Sequence, residues 1–280
     1  SRARMRGWTA PVRHKVYHTK RQSTARRVRV LNRIIFCFLL NLFLLKSQVL
    51  NLRLDHINIA VADLNMAIDE FEKIGFVIKK GRLHQNSILN AFIKFNNHAE
   101  IELITASEAT DDLSAFYVDF IRKNAPGKAT FLCLEVENID PLETRLKQLD
   151  IDYLRSNSGY ADFITFPENS EFNPVFFIGY TIPTKNTEQI KFQNTSTGIQ
   201  AVWISESLKA LFENLGFAQY ERVKHDILGN AEKLDLVNCS LIFSNKVKDR
   251  FAGLTLKHNS VNQNERINLP YNFTLEFSND

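Results

Sequence analysis

LDHINIAVADL (residues 54–64), NMAIDEFEKIGF (65–76), GRLHQNSILNAFIKF (81–95) and AEIELIT (99–105) follow one another in one stretch of this chain. Ile57, Ile59 and Val61 alternate with other residues, which makes the first segment a strand with one apolar face. Met66, Ile68, Phe71 and Ile74 recur at approximately helical spacing, and Gly75 is a stop signal. Shorter alternating runs follow at 76–80, 90–95 and 100–105. The unit reads β-α-β-β-β, an α+β pattern in which the helix covers one face of the sheet and leaves the other free to form a cup.

Alternation then decides which side chains can do chemistry. If Ile57, Ile59 and Val61 pack on the helix, His56, Asn58 and Ala60 face the opposite way. In the last strand Ile101 and Leu103 take the core face, so Glu100 and Glu102 look into the cup. An imidazole and a carboxylate converging on a concave sheet are what a divalent metal asks for, and further donors or water would complete the site. Each residue also has a plain structural alternative. His56 can be a hydrogen-bonded strand histidine, His84 a solvated loop residue, and Glu102 beside Glu100 a solvated edge.

The unit repeats. His56-Ile-Asn-Ile-Ala-Val61 recurs as Phe131-Leu-Cys-Leu-Glu-Val136, an offset of 75 that also carries Gly75 onto Asp150. Leu142, Leu146 and Leu149 form the second helical stripe, and strands are expected at 153–156, 162–166 and 175–181. A third copy begins at Gly198-Ile-Gln-Ala-Val-Trp-Ile204, with a helix from Leu208 to Leu215 ending in Gly216-Phe217. Its strands are expected at 217–223, 240–244 and 252–257. A helix over 112–123 links the first two units. The Asn-rich run 259–268 reads as loop, with a last strand at 272–277. Repeats set architecture before local propensity does, so the expected organisation is a leader (1–50), a paired βαβββ domain (51–182) and a third related module (183–280).

The chain has 35 Lys and Arg against 31 Asp and Glu. Residues 1–50 hold 12 of the bases and no acid, so residues 51–280 carry 23 bases and 31 acids, a net charge of −8. That acidic body argues against a nucleic-acid partner. Within the leader, IIFCFLLNLFLL (34–45) follows Arg26, Arg27, Arg29 and Arg33, a charged region before an apolar one. Twelve residues are short for a bilayer span. The expectation is export, periplasmic or extracellular, with cleavage near Gln48, and the alternative is a membrane anchor. No membrane contact is expected after cleavage. Cys133 and Cys239 lie in neither a CxxC pair nor metal spacing and read as small buried hydrophobes. No GxGxxG or GxxxxGK run occurs, and no Ser-His-Asp set is evident.

With these residues quoted, the repeats, the DHINIAV opening, the helix ending in IGF and the ELI strand resemble the vicinal oxygen chelate superfamily. GRLHQNSILNAFIKF followed by AEIELI is similar to its glyoxalase-like branch. The resemblance covers residues 52–182 and, more loosely, the third unit. It implies tandem βαβββ modules of the glyoxalase and bleomycin-resistance type, with His56 and Glu102 as metal ligands and His84 and Asn90 as polar groups lining the pocket. It also implies a metal-assisted lyase or isomerase acting on a small oxygenated substrate. There a divalent ion (Zn, Mg, Mn, Ni or Fe) held by His56, Glu102 and water polarises the substrate, and Glu100 or His84 moves a proton. The alternative on the same scaffold is a metal-free binding protein, with Phe131 and Phe177 making the cup apolar and His56, His84, Asn58 and Asn90 orienting a ligand. The family's metal enzymes carry a second-unit ligand where this chain has Phe131 and a carboxylate where it has Gly179. Ser87-Ile88 stands where the branch shows Gly-Thr, and Phe192-Gln193-Asn194 where His-Pro-Asn is common. Family members often pair units across chains, and three units here could close a cup within one, so a monomer or a homodimer is expected.

Overall fold

The structure is a computed structural model that describes residues 50–182, 189–259 and 265–279. The apolar run 34–45, its basic flank and Cys37 lie outside the described residues. Strand β1 (Leu52–Val61) leads into helix α1 (Leu64–Lys73), whose first turn is closed by the Asp63 carboxylate accepting from the Met66 amide at 3.0 Å. Such a cap satisfies one of the amides that a helix start leaves unpaired. Leu64, Ala67, Ile68 and Phe71 form the buried face. Met66, expected on that face, is 60% exposed, because residues two apart on a helix point to different sides.

Strands β2 (Lys79–Leu83), β3 (Ile88–Lys94) and β4 (Glu100–Ala106) complete the first unit. Helix α2 (Asp112–Lys123) follows, its start fixed by a reciprocal capping box between Asp111 and Ser114. The second unit runs β5 (Gly127–Val136), α3 (Ile139–Gln148), β6 (Leu154–Asn157), β7 (Ala161–Thr165) and β8 (Val175–Tyr180). Together they make an eight-stranded sheet ordered β2-β3-β4-β1-β5-β8-β7-β6. In each unit the first and last strands lie parallel, and the two units join through the antiparallel β1–β5 pair.

Strand β9 (Ser196–Ser205), a 3-10 turn at Glu206–Leu208 and α4 (Lys209–Asn214) begin a second sheet. It continues through β10 (Glu221–His225), β11 (Gly229–Asp235), β12 (Ser240–Ser244), β13 (Phe251–His258), β14 (Glu265–Leu269) and β15 (Phe273–Ser278). Its order is β10-β11-β12-β9-β13-β15-β14. Three expectations are corrected here. The third unit takes β11 as a strand, although GNAEKLD shows almost no apolar alternation and buries only Ala231 and Leu234. The run 252–257 does not end that unit: β13 pairs antiparallel with β9 as β5 does with β1, and opens a further set of strands. The polar segment expected as loop contributes β14, held by pairing with β15.

The three helices that follow a unit's first strand leave through a left-handed residue: Gly75 at φ +89°, Asp150 at φ +54° and Gly216 at φ +101°. Glycine adopts this conformation without strain, and aspartate is among the few others that visit it. The helix-facing sides of both sheets merge into one apolar core containing Ile57, Ile59, Phe71, Leu132, Phe177, Val202, Phe212 and Leu275. The chain is therefore α+β, built from βαβββ modules. Helix α2 behaves differently. Its Tyr117 packs with Ala60, Ile88 and Ile104, residues of the opposite sheet face, so α2 roofs one end of the concave side. Among the described residues no helix is long and apolar enough to cross a membrane.

Candidate functional site

The concave face of the first sheet encloses about 1570 Å³. Its centre is built by a local irregularity in β1. Leu54 pairs with Leu134 and His56 with Cys133, so Asp55 has no partner on β5 and the strand bulges there. The bulge lets both Asp55 and His56 line the cavity while Leu54 and Ile57 stay in the core. Strict alternation would have sent Asp55 to the core side, so the sequence reading missed it.

His56 Nδ1 meets Asp55 Oδ1 at 2.5 Å, and Asp55 Oδ2 accepts from the Tyr180 hydroxyl at 2.9 Å. On the other side His56 Nε2 lies 3.3 Å from Glu102 Oε2 as an ion pair. Glu102 is held in turn by two amides: Asn58 Nδ2 donates to Oε2 at 2.6 Å and Asn90 Nδ2 to Oε1 at 2.8 Å. Asn58, Asn90 and Glu102 are all buried. Asn90 reaches Glu102 because Gly81 opposite it on β2 has no side chain, and a Cβ there would stand 1.9 Å from Asn90 Oδ1.

Burial alone would push the His56 imidazole toward its neutral form. Cys133 and Asp55 more than offset it and hold the group well above the ordinary histidine value. Burial also raises the Cys133 thiol to about 12, so it is uncharged near neutrality and the Asp55 carboxylate is the partner that keeps the ring cationic. Asp55 itself is raised by burial but lowered more by His56 and Tyr180, ending below the usual carboxylate range. Glu100 lines the cavity paired with Lys94, and burial holds its carboxyl above the usual value.

The expected residues separate into groups. His56, Asn58, Asn90 and Glu102 converge on one floor, with Phe131 above it and Glu100 and His84 also lining the cavity. His84 sits at the β2–β3 turn, where its backbone amide donates to the Ile88 carbonyl. Phe177 is a correction: it is fully buried on the helix side against Phe166, because Val175 and Phe177 share the core face of β8. Phe176 lines the cup in its place, its ring 5.6 Å from His56 and 6.1 Å from Phe131. Gly179 also faces the helices, near Ile139, so the concave positions of that strand are Phe176, Ile178 and Tyr180. Tyr117 and Phe116 from α2 complete the aromatic wall, with Phe116 5.1 Å from Phe131. The sequence marked α2 as a linker, and nothing in its pattern says which sheet face it covers.

The family model described as "Glyoxalase-like domain" matches residues 54–216, more than half of the chain. This chain is a glyoxalase-like protein of the vicinal oxygen chelate superfamily. Among solved structures, a hypothetical protein from Staphylococcus aureus is similar at TM-score 0.61 and 15% identity, over 81% of this chain and 99% of that one. A xylose isomerase-like TIM barrel/4-hydroxyphenylpyruvate dioxygenase fusion protein is similar at TM-score 0.53 and 10% identity, over 76% of this chain and 37% of that one. At such identities these likenesses bear on the fold. A comparison with curated proteins finds no match.

Proteins of this superfamily commonly bind divalent metals, and two donor sets bear on that here. Asp55, His56 and Cys133 bring one donor atom each within 4.8 Å of one another, a group that could hold an ion. Against it, Asp55 already serves His56 and Tyr180. The paired-module set fits no better. The offset that carries Ile57 onto Leu132 carries His56 onto Phe131, and Phe176, between core residues Val175 and Phe177, corresponds to Glu102 between Ile101 and Leu103. Two of four ligand positions are therefore phenyl rings, which offer no donor. The residues present do not fit a four-ligand ion.

Proposed function

We propose that this glyoxalase-like protein is a metal-independent proton-transferring enzyme of isomerase or lyase type, acting on a small oxygenated molecule in the first cup. The observation that carries this reading is the His56–Glu102 pair, 3.3 Å apart on the floor of an aromatic-walled cavity. Asp55 occupies Nδ1 of His56 and orients the ring so that Nε2 is the nitrogen left beside Glu102. With a carbonyl oxygen near Nε2, the imidazolium donates to it while Glu102 takes a proton from the adjacent carbon. For a hydroxyketone, Glu102 then returns that proton to the former carbonyl carbon while the hydroxyl on the adjacent carbon gives its proton back to Nε2 and becomes the new carbonyl, so the isomer forms and both side chains regain their starting states. General acid–base catalysis of this kind contributes about 10²–10⁴-fold.

The test is proton–deuterium exchange at the carbon next to the carbonyl of 2-hydroxyacetophenone, followed by NMR in D2O. Exchange faster than the buffer rate, lowered at least ~100-fold by His56→Ala and by Glu102→Gln and unchanged by a chelator, is the expected result. Loss on chelation with recovery on adding Zn²⁺ would replace this reading with a metal-assisted one. A second reading, binding without turnover, is favoured by one observation: both oxygens of Glu102 are already hydrogen-bonded by Asn58 and Asn90. Binding of the ketone with no exchange above buffer would select it.

A further inference from the structure

We propose that the ligand of the first cup is an amphiphile, with an oxygenated head at His56 and Glu102 and an unbranched apolar tail laid across the second unit toward Leu154. This rests on the cup being the proton-transfer site and names its substrate class. Behind it stands one row of paired residues that crosses the concave face of the sheet. On β1, His56 pairs with Glu100 on one side and with Cys133 on the other. Through the first unit the row continues from Glu100 to Lys94, so that direction is charged. Through the second unit Cys133 pairs with Phe176. Ile164 pairs with Phe177, which sets Thr165 beside Phe176, and Thr165 pairs with Leu154. From Phe176 to Leu154 no residue of the row is charged.

Cys133 is fully buried, so the surface next to His56 is Phe176, its ring centre 5.6 Å from that of the imidazole. Phe163 packs on the same apolar cluster as Phe176, and the Tyr160 ring is 6.3 Å from Phe163. The track reaches solvent at Leu154 and Tyr160, which line the cavity yet are 59% and 53% exposed. Apolar side chains left open to water along a cavity wall mark a ligand groove. Leu154 lies four strands from His56, about 19 Å along the sheet, farther than a compact ketone extends. The cavity volume agrees: about 1570 Å³ exceeds the ~300–1,000 Å³ of an ordinary small-molecule pocket. A carboxylate or phosphate on the tail would lose its water over this track without meeting a cation, whereas each methylene gains by leaving water.

The experiment measures binding of 1-hydroxy-2-butanone, 1-hydroxy-2-hexanone, 1-hydroxy-2-octanone and 1-hydroxy-2-decanone to the whole chain by calorimetry. Affinity should rise about 3-fold with each added methylene. Leu154→Asp should weaken the decanone at least ~10-fold more than the butanone, because the far end of the tail would then strip water from a carboxylate. Tyr160→Asp, at a second exposed position on the same rim, should act in the same sense. Equal affinities along the series, with deuterium exchange at the butanone intact, would overturn the tail and leave the proton-transfer reading standing. A chain-length gain that both rim variants leave untouched would overturn its placement over the second unit. A dimer that Leu154→Asp dissociates, with no chain-length gain, would assign the rim to a second copy instead. No binding of any ketone would overturn both readings.

Discussion

On β1 and β4 the concave side of the first sheet carries His56, Asn58 and Glu102; at the corresponding places on β9 and β12 stand Ala201, Trp203 and Ile242. The correspondence follows from register, since Ile57 and Ile59 pair with Ile101 and Leu103 as Val202 and Ile204 pair with Leu241 and Phe243. Across the central antiparallel pair, Phe131 opposite Asn58 becomes Gly253 opposite Trp203. That glycine is required, because a Cβ would come within 2.8 Å of the indole and 2.4 Å of the Thr274 carbonyl. Trp203 is 1% exposed and donates to Thr255 at 2.9 Å. Glu276, in the place of Phe176, is taken up by Arg266 and His225. One scaffold thus carries two fillings: the first sheet keeps a polar hollow, and the second closes its own with an indole and an internal ion network. An open cup needs the backbone of the module and also the omission of a large side chain at its centre.

The sharpest way to break this comparison is to empty the second sheet. Trp203→Ala should lower unfolding stability by about 3–5 kcal/mol, the usual cost of truncating a buried aromatic, read from denaturant midpoints. Added indole should restore part of the loss. If the variant unfolds at the same midpoint, Trp203 is not a plug. A smaller effect is expected at Gly81 in the first sheet. Gly81→Ala displaces the Asn90 amide from Glu102 and should weaken binding to the cup by ~1–3 kcal/mol, the cost of leaving a buried charged acceptor short of a donor. Asn90→Ala should do the same, and the double variant should be no worse than either single one. Additive losses would show that Gly81 acts elsewhere.

The smallest effect concerns pH. Burial raises the Glu276 carboxyl, but His225 and Arg266 outweigh it and hold it below the ordinary glutamate value. A depressed carboxylate contributes stability that is present above its unfolded value, near 4.5, and lost as pH falls through the lower folded value. Stability measured downward from pH 5 should therefore fall more steeply for the unaltered protein than for Glu276→Gln. Parallel curves would mean that the second-sheet ion network has no energetic role. Calorimetric scans across that range suffice.

Much of the first sheet was legible in the chain itself. Helix α2 occupies the expected residues 112–123, since its apolar spacing and Asp111–Ser114 cap are local signals. His56, Asn58 and Glu102 face the cup because alternation survives from Ile57 to Val61 and through β4. The reading failed where pairing with a distant strand overrode local pattern. Asp55 joined the site through a bulge that depends on β5, and Phe177 went to the core because one step along β8 exchanges faces. β11 and β14 have polar sequences and become strands by hydrogen bonding to neighbours already in place.

By itself the sequence determined the repeated βαβββ order, the helix exits at Gly75, Asp150 and Gly216, and the polar character of one strand face, because these depend on neighbours within a few residues. Tertiary structure alone decided that α2 roofs the first cup, that Phe176 rather than Gly179 stands at the second-unit carboxylate position, and that Trp203 fills the second hollow. Those outcomes depend on which faces meet across sheet pairings far apart in the chain, where register and volume decide what fits.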